Sequence, residues 1–273
     1  LYFQAKDGTS GFELWKSDGT ASGTVMVKDI YSGSSDSYPS HLTVVGNTLY
    51  FTANDGTNGY ELWKSDGTSS GTVMVKDIKS GSGQAYVDYL TAVGNTLYLQ
   101  ANDGTNGAEL WKSDGTASGT VMVKDISTSA SSSCTGNAEP TDLTAVGNTL
   151  YFSACSDTWG RELWKSDGTS SGTLMVKNIR GGAGSALTSY ADPVAVGNTL
   201  YFPANDGTSG VELWKSDGTT SGTVMVQDIT GGISGSSSSP QNFAVVGNTL
   251  FFRANDGTNG AELWALDPAN ITG

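Results

Sequence analysis

The chain of 273 residues contains 37 glycines, and only 15% of its residues are charged. Its 14 basic and 27 acidic residues give a net charge of −13, which repels phosphate backbones and argues against nucleic acid as a partner. With one histidine and two cysteines, histidine-based metal sites and Ser-His-Asp triads are nearly excluded. The sequence contains no run of about 18 apolar residues, so it predicts no segment that spans a membrane.

The tripeptide Glu-Leu-Trp recurs six times, at intervals of 48, 48, 53, 50 and 50 residues. The tryptophans of these copies are Trp15, Trp63, Trp111, Trp164, Trp214 and Trp264. The first five copies continue as Lys-Ser-Asp-Gly-Thr, and Val-Gly-Asn-Thr-Leu recurs five times between them. Self-similarity at this period is typical of repeat architectures. Because the repeats fill the chain, we expect one domain over residues 1–273.

One repeat predicts four short strands in chain order, at residues 90–93, 96–101, 109–112 and 120–126. Branched and aromatic residues fill these segments, while Gly, Asn and Asp occupy the turns between them. Four-stranded units of about 50 residues are typical of β-propeller blades. The sequence therefore predicts an all-β propeller of antiparallel blades, with a linear β-solenoid as the less suitable alternative.

The number of blades follows from the strand copies. The second and third strands occur six times, whereas the first and fourth occur five times. We expect six blades, one of them incomplete, with five blades as the alternative. The start of the chain, Leu-Tyr-Phe-Gln, matches both a common protease-cleavage tag and the internal segment Leu-Tyr-Leu-Gln at residues 97–100.

The octapeptide Glu-Leu-Trp-Lys-Ser-Asp-Gly-Thr resembles the signature of the ELWxxDGT repeat family of large bacterial proteins. The resemblance covers essentially the whole chain, and the last copy departs from it at Ala265 and Leu266. It implies a propeller-like module of a secreted or surface-exposed bacterial protein. The family brings no established enzymatic activity and no catalytic residues to transfer.

The repeated tryptophans have two interpretations, as core residues or as stacking platforms for sugars. We expect core positions, because a chain this poor in aliphatic residues needs the burial of large aromatic surfaces. The repeated glutamate before each Leu-Trp is expected to accept loop N–H bonds or to form an edge ion pair. Six equivalent copies argue against an acid/base role, which requires one asymmetric constellation.

The loop that precedes the second Glu-Leu-Trp contains candidate calcium ligands. Asp55, Asn58 and Glu61 supply oxygen atoms around a short glycine-containing loop. The spacing does not match the twelve-residue calcium loop, and Asx-turns use the same composition without a metal. We therefore expect no cofactor, with calcium as the alternative.

The fourth repeat departs from the others. It contains Cys134 and Cys155, each predicted in a loop, together with Asp157, Trp159 and Arg161. A disulfide between the cysteines is expected, and it implies an oxidising compartment; two free thiols are the alternative. An exposed Trp159–Arg161 pair resembles a binding hot spot, although Trp159 is equally suited to packing on the disulfide. We predict Asp157, Trp159 and Arg161 as ligand contacts.

Two classes of function remain open from the sequence. The first is a non-enzymatic extracellular adhesion or scaffold module that binds glycan or protein through its loops, including the variable Ser/Gly-rich connections 32–37, 127–133 and 231–239. The second is a glycosidase or lyase with a central funnel site on a propeller scaffold. The first class is favoured, because the sequence reveals no asymmetric cluster of acids with His, Tyr or Arg.

Overall fold

The computed structural model describes residues 1–128, 134, 136–188, 192–232 and 235–268. These residues form 22 β-strands and contain no α-helix, so none of their elements is a helix long and apolar enough to cross a membrane. The chain divides into two compact units, Leu1–Asp125 and Ile126–Gly273. Each unit contains three separate antiparallel sheets.

The first unit contains sheets 1 to 3. Their strands are β1 (Tyr2–Ala5), β2 (Glu13–Lys16) and β3 (Val25–Lys28) in sheet 1; β4 (Ser40–Val45), β5 (Thr48–Asn54), β6 (Tyr60–Ser65) and β7 (Val73–Lys76) in sheet 2; and β8 (Asp88–Val93), β9 (Thr96–Asn102), β10 (Ala108–Ser113) and β11 (Val121–Lys124) in sheet 3.

The second unit contains sheets 4 to 6. Their strands are β12 (Thr141–Val146), β13 (Thr149–Ser156), β14 (Gly160–Ser166) and β15 (Leu174–Lys177) in sheet 4; β16 (Val194–Val196), β17 (Thr199–Asn205), β18 (Val211–Ser216) and β19 (Val224–Gln227) in sheet 5; and β20 (Gln241–Val246), β21 (Thr249–Asn255) and β22 (Ala261–Leu266) in sheet 6.

Every sheet is a meander, in which each strand pairs with the next along the chain. In the first hairpin of sheet 2, Val45 of β4 pairs with Thr48 of β5. The two residues between them form the turn. Gly46 begins this turn at a φ of 59°, a left-handed conformation that glycine adopts without steric cost. The repeated Val-Gly-Asn-Thr therefore encodes the hairpin directly.

Consecutive sheets within each unit pack face to face, and Trp63, Trp111, Trp214 and Trp264 lie between them. Trp63 packs against Leu14 and Phe51 in the cluster between sheets 1 and 2, and Trp111 packs against Leu62 in the next cluster. The predicted core position holds for the four buried tryptophans, Trp63, Trp111, Trp164 and Trp214. Trp15 and Trp264 are partly exposed.

Repeated four-stranded antiparallel meanders with both faces buried are the blades of a β-propeller. The predicted fold class and the predicted six sheets are confirmed. The expectation that one blade is incomplete is wrong, because sheets 1 and 6 each have three strands among the described residues. Among the described residues, β1, β2 and β3 are the counterparts of β5, β6 and β7, whereas β20, β21 and β22 are the counterparts of β4, β5 and β6.

Candidate functional site

The repeated Ser-Asp-Gly-Thr loops are braced by their own side chains. Asp66 accepts hydrogen bonds at Oδ1 from the N–H of Thr68 at 2.8 Å and from its hydroxyl at 2.7 Å. The hydroxyl oxygen of Thr68 then accepts the N–H of Gly71 at 2.9 Å. Hydrogen bonds from Thr68 lower the pKa of Asp66, which is thereby held as a carboxylate. These loops need no ligand to be ordered.

Five of the six repeated glutamates are buried, namely Glu13, Glu61, Glu109, Glu162 and Glu212, whereas Glu262 is exposed. The buried copies hold the loop that follows the fourth strand. Glu61 accepts the N–H of Ile78 at 2.8 Å and the N–H of Lys79 at 3.3 Å. Burial raises the pKa of Glu61 to about 8, and it raises the pKa of the equivalent Glu162 to about 7. The expectation that these glutamates accept loop N–H bonds is confirmed.

The three candidate calcium ligands do not converge. Asp55 accepts the N–H groups of Thr57 and Asn58 at Oδ1, each at 2.8 Å, and the side-chain amide of Asn58 at Oδ2, also at 2.8 Å. Glu61 is turned into the interior toward Ile78. The geometry is that of an Asx-turn, and the described part of the chain has no group of three His, Cys, Asp or Glu residues placed to hold a metal.

Cys134 and Cys155 form the predicted disulfide, with their Cα atoms 5.7 Å apart. The prediction that both cysteines lie in loops is wrong for Cys155, which belongs to β13 and pairs with Arg161 of β14. The bridge therefore attaches the connection before β12 directly to a strand of sheet 4.

Asp157 braces this connection. Its carboxylate accepts the hydroxyl of Ser127 at 2.8 Å, the N–H of Thr128 at 3.0 Å and the hydroxyl of Thr128 at 3.1 Å. These bonds engage both carboxylate oxygens within the fold. The predicted role of Asp157 as a ligand contact thus competes with a structural role.

The predicted exposed pair of Trp159 and Arg161 is wrong, because Arg161 is only 8% exposed whereas Trp159 is 40% exposed. The guanidinium of Arg161 donates to the carbonyl of Glu139 at 2.7 Å and to the carboxylate of Glu139 at 3.1 Å. It also donates to Ser153 at 3.4 Å. Arg161 therefore fills space within sheet 4, and Trp159 alone of the pair presents its side chain to solvent.

A pocket of about 390 Å³ within the first unit was missed by the sequence reasoning. It lies where sheets 2 and 3 meet, beside the starts of β4 and β8. Its lining combines the single histidine of the chain with two tyrosines, one carboxylate and planar amides: Ser40, His41, Thr52, Tyr60, Gln84, Tyr86, Val87, Asp88 and Gln100. The structure thus brings one histidine, one carboxylate and two tyrosines together at a place that the sequence did not reveal.

His41 and Asp88 join the two sheets at this pocket. His41 Nε2 lies 3.2 Å from Asp88 Oδ1, which also accepts the N–H of Tyr89 at 2.7 Å. His41, Tyr86 and Tyr89 adopt positive φ values of 55°, 49° and 52°. The same left-handed backbone recurs at equivalent positions of other repeats, at Glu139, Asp142, Ser239 and Asn242. It therefore belongs to the repeated blade and does not by itself mark this pocket.

Tyr86 supplies an exposed aromatic surface at the rim of the pocket, with 60% of the residue accessible. The amine of Lys79 lies 5.6 Å from the centre of its ring. Burial raises the pKa of Tyr60, which also lines the pocket. An aromatic surface beside a few polar groups is the usual composition of a small-molecule site.

The equivalent position between sheets 5 and 6 also forms a pocket, of about 350 Å³. In place of Tyr60, Tyr86 and Asp88 it has Val211, Ser239 and Gln241. The cavity therefore follows from the way these sheets meet, whereas the tyrosines and the His41–Asp88 pair belong to the pocket of sheets 2 and 3. An alignment of the repeats would reveal this difference from the sequence, because it places Tyr60, Tyr86 and Asp88 beside Val211, Ser239 and Gln241.

No protein-family model and no curated protein matches the chain. Among solved structures, it is similar to a puromycin hydrolase, with 14% identity and a TM-score of 0.50 over 96% of this chain and 41% of that one. It is also similar to oligopeptidase B from Leishmania major, with 14% identity and a TM-score of 0.53 over 97% of this chain and 37% of that one. The chain spans about two fifths of these proteins, and at this identity the likeness shows the fold alone.

Proposed function

We propose that the chain is a non-enzymatic interaction module that binds a glycan through the loops of its blades. The observation that carries this proposal is the pocket between sheets 2 and 3, in which the exposed ring of Tyr86 adjoins His41, Asp88 and Gln100. The apolar C–H face of a sugar ring suits an aromatic surface, and its hydroxyl groups suit amide, carboxylate and imidazole partners. A protein ligand on the same loops is the alternative.

The lining of the pocket supports binding over glycoside hydrolysis. Glycosidases use two carboxyl groups about 5–10 Å apart. Among the described residues that line the pocket, Asp88 is the single carboxylate, and it faces His41 at 3.2 Å. A propeller-scaffold glycosidase or lyase is the alternative, and the glycan experiment described next distinguishes it from a binding module.

The proposed location is outside the cytoplasm, in a secreted or cell-surface bacterial protein. The disulfide between Cys134 and Cys155 supports it, because such bonds form and persist in oxidising compartments. The resemblance of the repeat to the ELWxxDGT family supports the same location. Membership of that family, and an adhesion or scaffold role, are part of this proposal.

A glycan array probed with the wild-type chain and two variants tests the proposal. Tyr86→Ala removes the aromatic surface, and Tyr38→Ala is the matched control, since Tyr38 occupies the same repeat position, is also exposed, and does not line the pocket. We expect the wild type and Tyr38→Ala to retain the same glycans, and Tyr86→Ala to bind them at least tenfold more weakly with an unchanged melting temperature.

The array also distinguishes the alternatives. Absence of any retained glycan, or equal binding by Tyr86→Ala, contradicts the proposal. Time-dependent appearance of reducing ends or unsaturated products from a retained glycan indicates the enzyme instead. Arrays run with calcium and with a chelator report whether binding depends on the metal.

A further inference from the structure

Lys79 holds a positive charge beside the aromatic rim of the pocket between sheets 2 and 3. It lies in the connection that follows β7, and its Nζ atom is 5.6 Å from the centre of the Tyr86 ring. This ring is the surface on which the proposed glycan stacks. A charged substituent on a sugar bound there would therefore lie close to the amine of Lys79.

The aliphatic stem of Lys79 is held by close packing against two glycines. A Cβ atom placed on Gly83 would lie 2.9 Å from Cε of Lys79, and one placed on Gly104 would lie 3.3 Å from the same atom. A side chain at either position would crowd the stem. The stem thus lies between its own connection and the loop that joins β9 to β10, and this packing sets the position of the amine.

The charge of Lys79 is not neutralised by a neighbouring carboxylate. Lys79 forms no ion pair with any residue that the structure describes. Glu61 accepts the backbone N–H of Lys79 at 3.3 Å, but burial raises the pKa of Glu61 to about 8, so this carboxyl is largely protonated at neutral pH. Asp88 already faces His41 at 3.2 Å and accepts the N–H of Tyr89 at 2.7 Å. The amine of Lys79 is therefore available to an anionic ligand.

The blade itself does not require a basic residue at this position. The counterparts of Lys79 in the other repeats are Tyr31, Ser127, Arg180 and Thr230. Arg180 is the other basic residue of this set, and its guanidinium donates to the carbonyl of Ser185 at 3.1 Å. The combination of a lysine amine with an exposed tyrosine ring thus distinguishes the pocket between sheets 2 and 3 from the equivalent positions of the described repeats.

We propose that the glycan bound between sheets 2 and 3 is acidic, and that its anionic group pairs with the amine of Lys79 while a sugar ring stacks on Tyr86. The anionic group is a carboxylate or a sulfate ester, since a lysine ammonium pairs with either as a point charge. This inference rests on the glycan binding proposed above and adds the chemical class of the ligand. The net charge of −13 opposes it only weakly, because exposed charges more than about 8 Å apart are largely screened at physiological ionic strength.

Binding to pairs of oligosaccharides that differ in charge tests the proposal. The pairs are galacturonate oligomers with their methyl esters, sialyllactose with lactose, and a sulfated galactan oligomer with its unsulfated form. We expect the wild type to bind the acidic member of at least one pair about tenfold more tightly, as a charge-assisted hydrogen bond allows. Lys79→Met, which keeps the packed stem, should lose this preference with a nearly unchanged melting temperature, whereas Lys79→Arg should keep it.

Lys6→Met is the matched control for the loss of charge. The amine of Lys6 lies 4.7 Å from the centre of the Phe12 ring, and neither residue lines the pocket. This variant removes a lysine from beside another aromatic ring, so it should bind the acidic glycans like the wild type. Raising the salt concentration from about 0.05 M to about 0.5 M should weaken acidic binding by the wild type and leave binding of the neutral members nearly unchanged.

The outcomes separate the ligand class from the binding function. Equal binding of the acidic and neutral members overturns the acidic ligand and leaves the glycan-binding module in place, as does an acidic preference that Lys79→Met retains. Absence of binding to every member of the pairs and of the array overturns both proposals. A preference confined to the carboxylated pairs identifies the anionic group as a carboxylate, and one confined to the sulfated pair identifies it as a sulfate ester.

Discussion

The amine of Lys64 in sheet 2 donates a hydrogen bond to the carbonyl oxygen of Gly115 in sheet 3 at 2.8 Å. The same bond joins Lys16 to Gly67 at 2.9 Å and Lys165 to Gly218 at 2.8 Å. In each case the lysine side chain of one sheet binds the backbone of the Ser-Asp-Gly-Thr loop in the next sheet. The repeated lysine is therefore a connector between blades and no part of a catalytic pair.

Replacing Lys64 with Met should lower the free energy of unfolding by about 1 kcal/mol, because a single hydrogen bond is lost while the aliphatic stem is kept. Urea denaturation measures the change. Lys215→Met is the matched control, because Lys215 donates no corresponding bond to sheet 6 among the described residues, where Pro268 stands at the position of Gly115. Equal losses in the two variants would contradict the assigned role of Lys64.

Stability should fall as pH rises from 5 to 8. Burial raises the pKa of Glu61 to about 8 and that of Glu162 to about 7, above the ordinary value of 4.5. Between the ordinary pKa and the raised pKa of each glutamate, the folded state binds more protons than the unfolded state. Raising the pH through this range therefore favours unfolding. Aspartates such as Asp66, whose pKa is lowered, act in the opposite direction only near and below their ordinary value of 3.8.

Melting temperatures of the wild type at pH 5 and pH 8 measure this dependence. A Glu61→Gln, Glu162→Gln double variant should flatten it, because its side chains carry no titrating proton at these two positions. A melting temperature that rises with pH across this window would refute the assigned burial effect.

Replacing Trp111 with Ala should lower the free energy of unfolding by about 3–5 kcal/mol, as other large-to-small core changes do. Trp111 is buried between sheets 2 and 3. Trp159→Ala is the control, since Trp159 is exposed, and it should leave stability nearly unchanged. Loss of glycan binding by Trp111→Ala at an unchanged melting temperature would instead support a sugar-stacking role for the repeated tryptophans.

Removing the disulfide should cost about 3 kcal/mol, since the bridge joins residues 21 positions apart and restricts the unfolded chain. The Cys134→Ala, Cys155→Ala double variant measures this cost, and a reducing agent should produce the same loss in the wild type and none in the variant. Thiol titration of the non-reduced wild type should find no free cysteine; two free thiols would contradict the bridge.

Chelation of calcium should not change the melting temperature. Both carboxylate oxygens of Asp55 are engaged by its own loop, and Glu61 is directed into the interior. A ligand that binds only the folded state raises its stability by mass action, so a clear decrease on chelation would show that an ion is bound.

Much of the blade could be predicted because its determinants are local. The Val-Gly-Asn-Thr turn sets one hairpin, the Asp66 loop is closed by its own threonine, and the six Glu-Leu-Trp copies give the number of sheets. The alternation of side chains along a strand places Leu62 and Trp63 on opposite faces, so both are buried once sheets lie on either side.

The candidate site required the tertiary structure, because its residues come from different repeats. His41 and Asp88 are 47 positions apart, and they meet because β4 and β8, which contain them, lie side by side in adjacent sheets. The burial of Arg161 has the same origin: its partner Glu139 lies 22 positions earlier and reaches it through the fold of sheet 4. Turn formation and strand patterning are thus determined by neighbours along the chain, whereas the chemistry of each pocket is determined by which side chains the packing of sheets brings together.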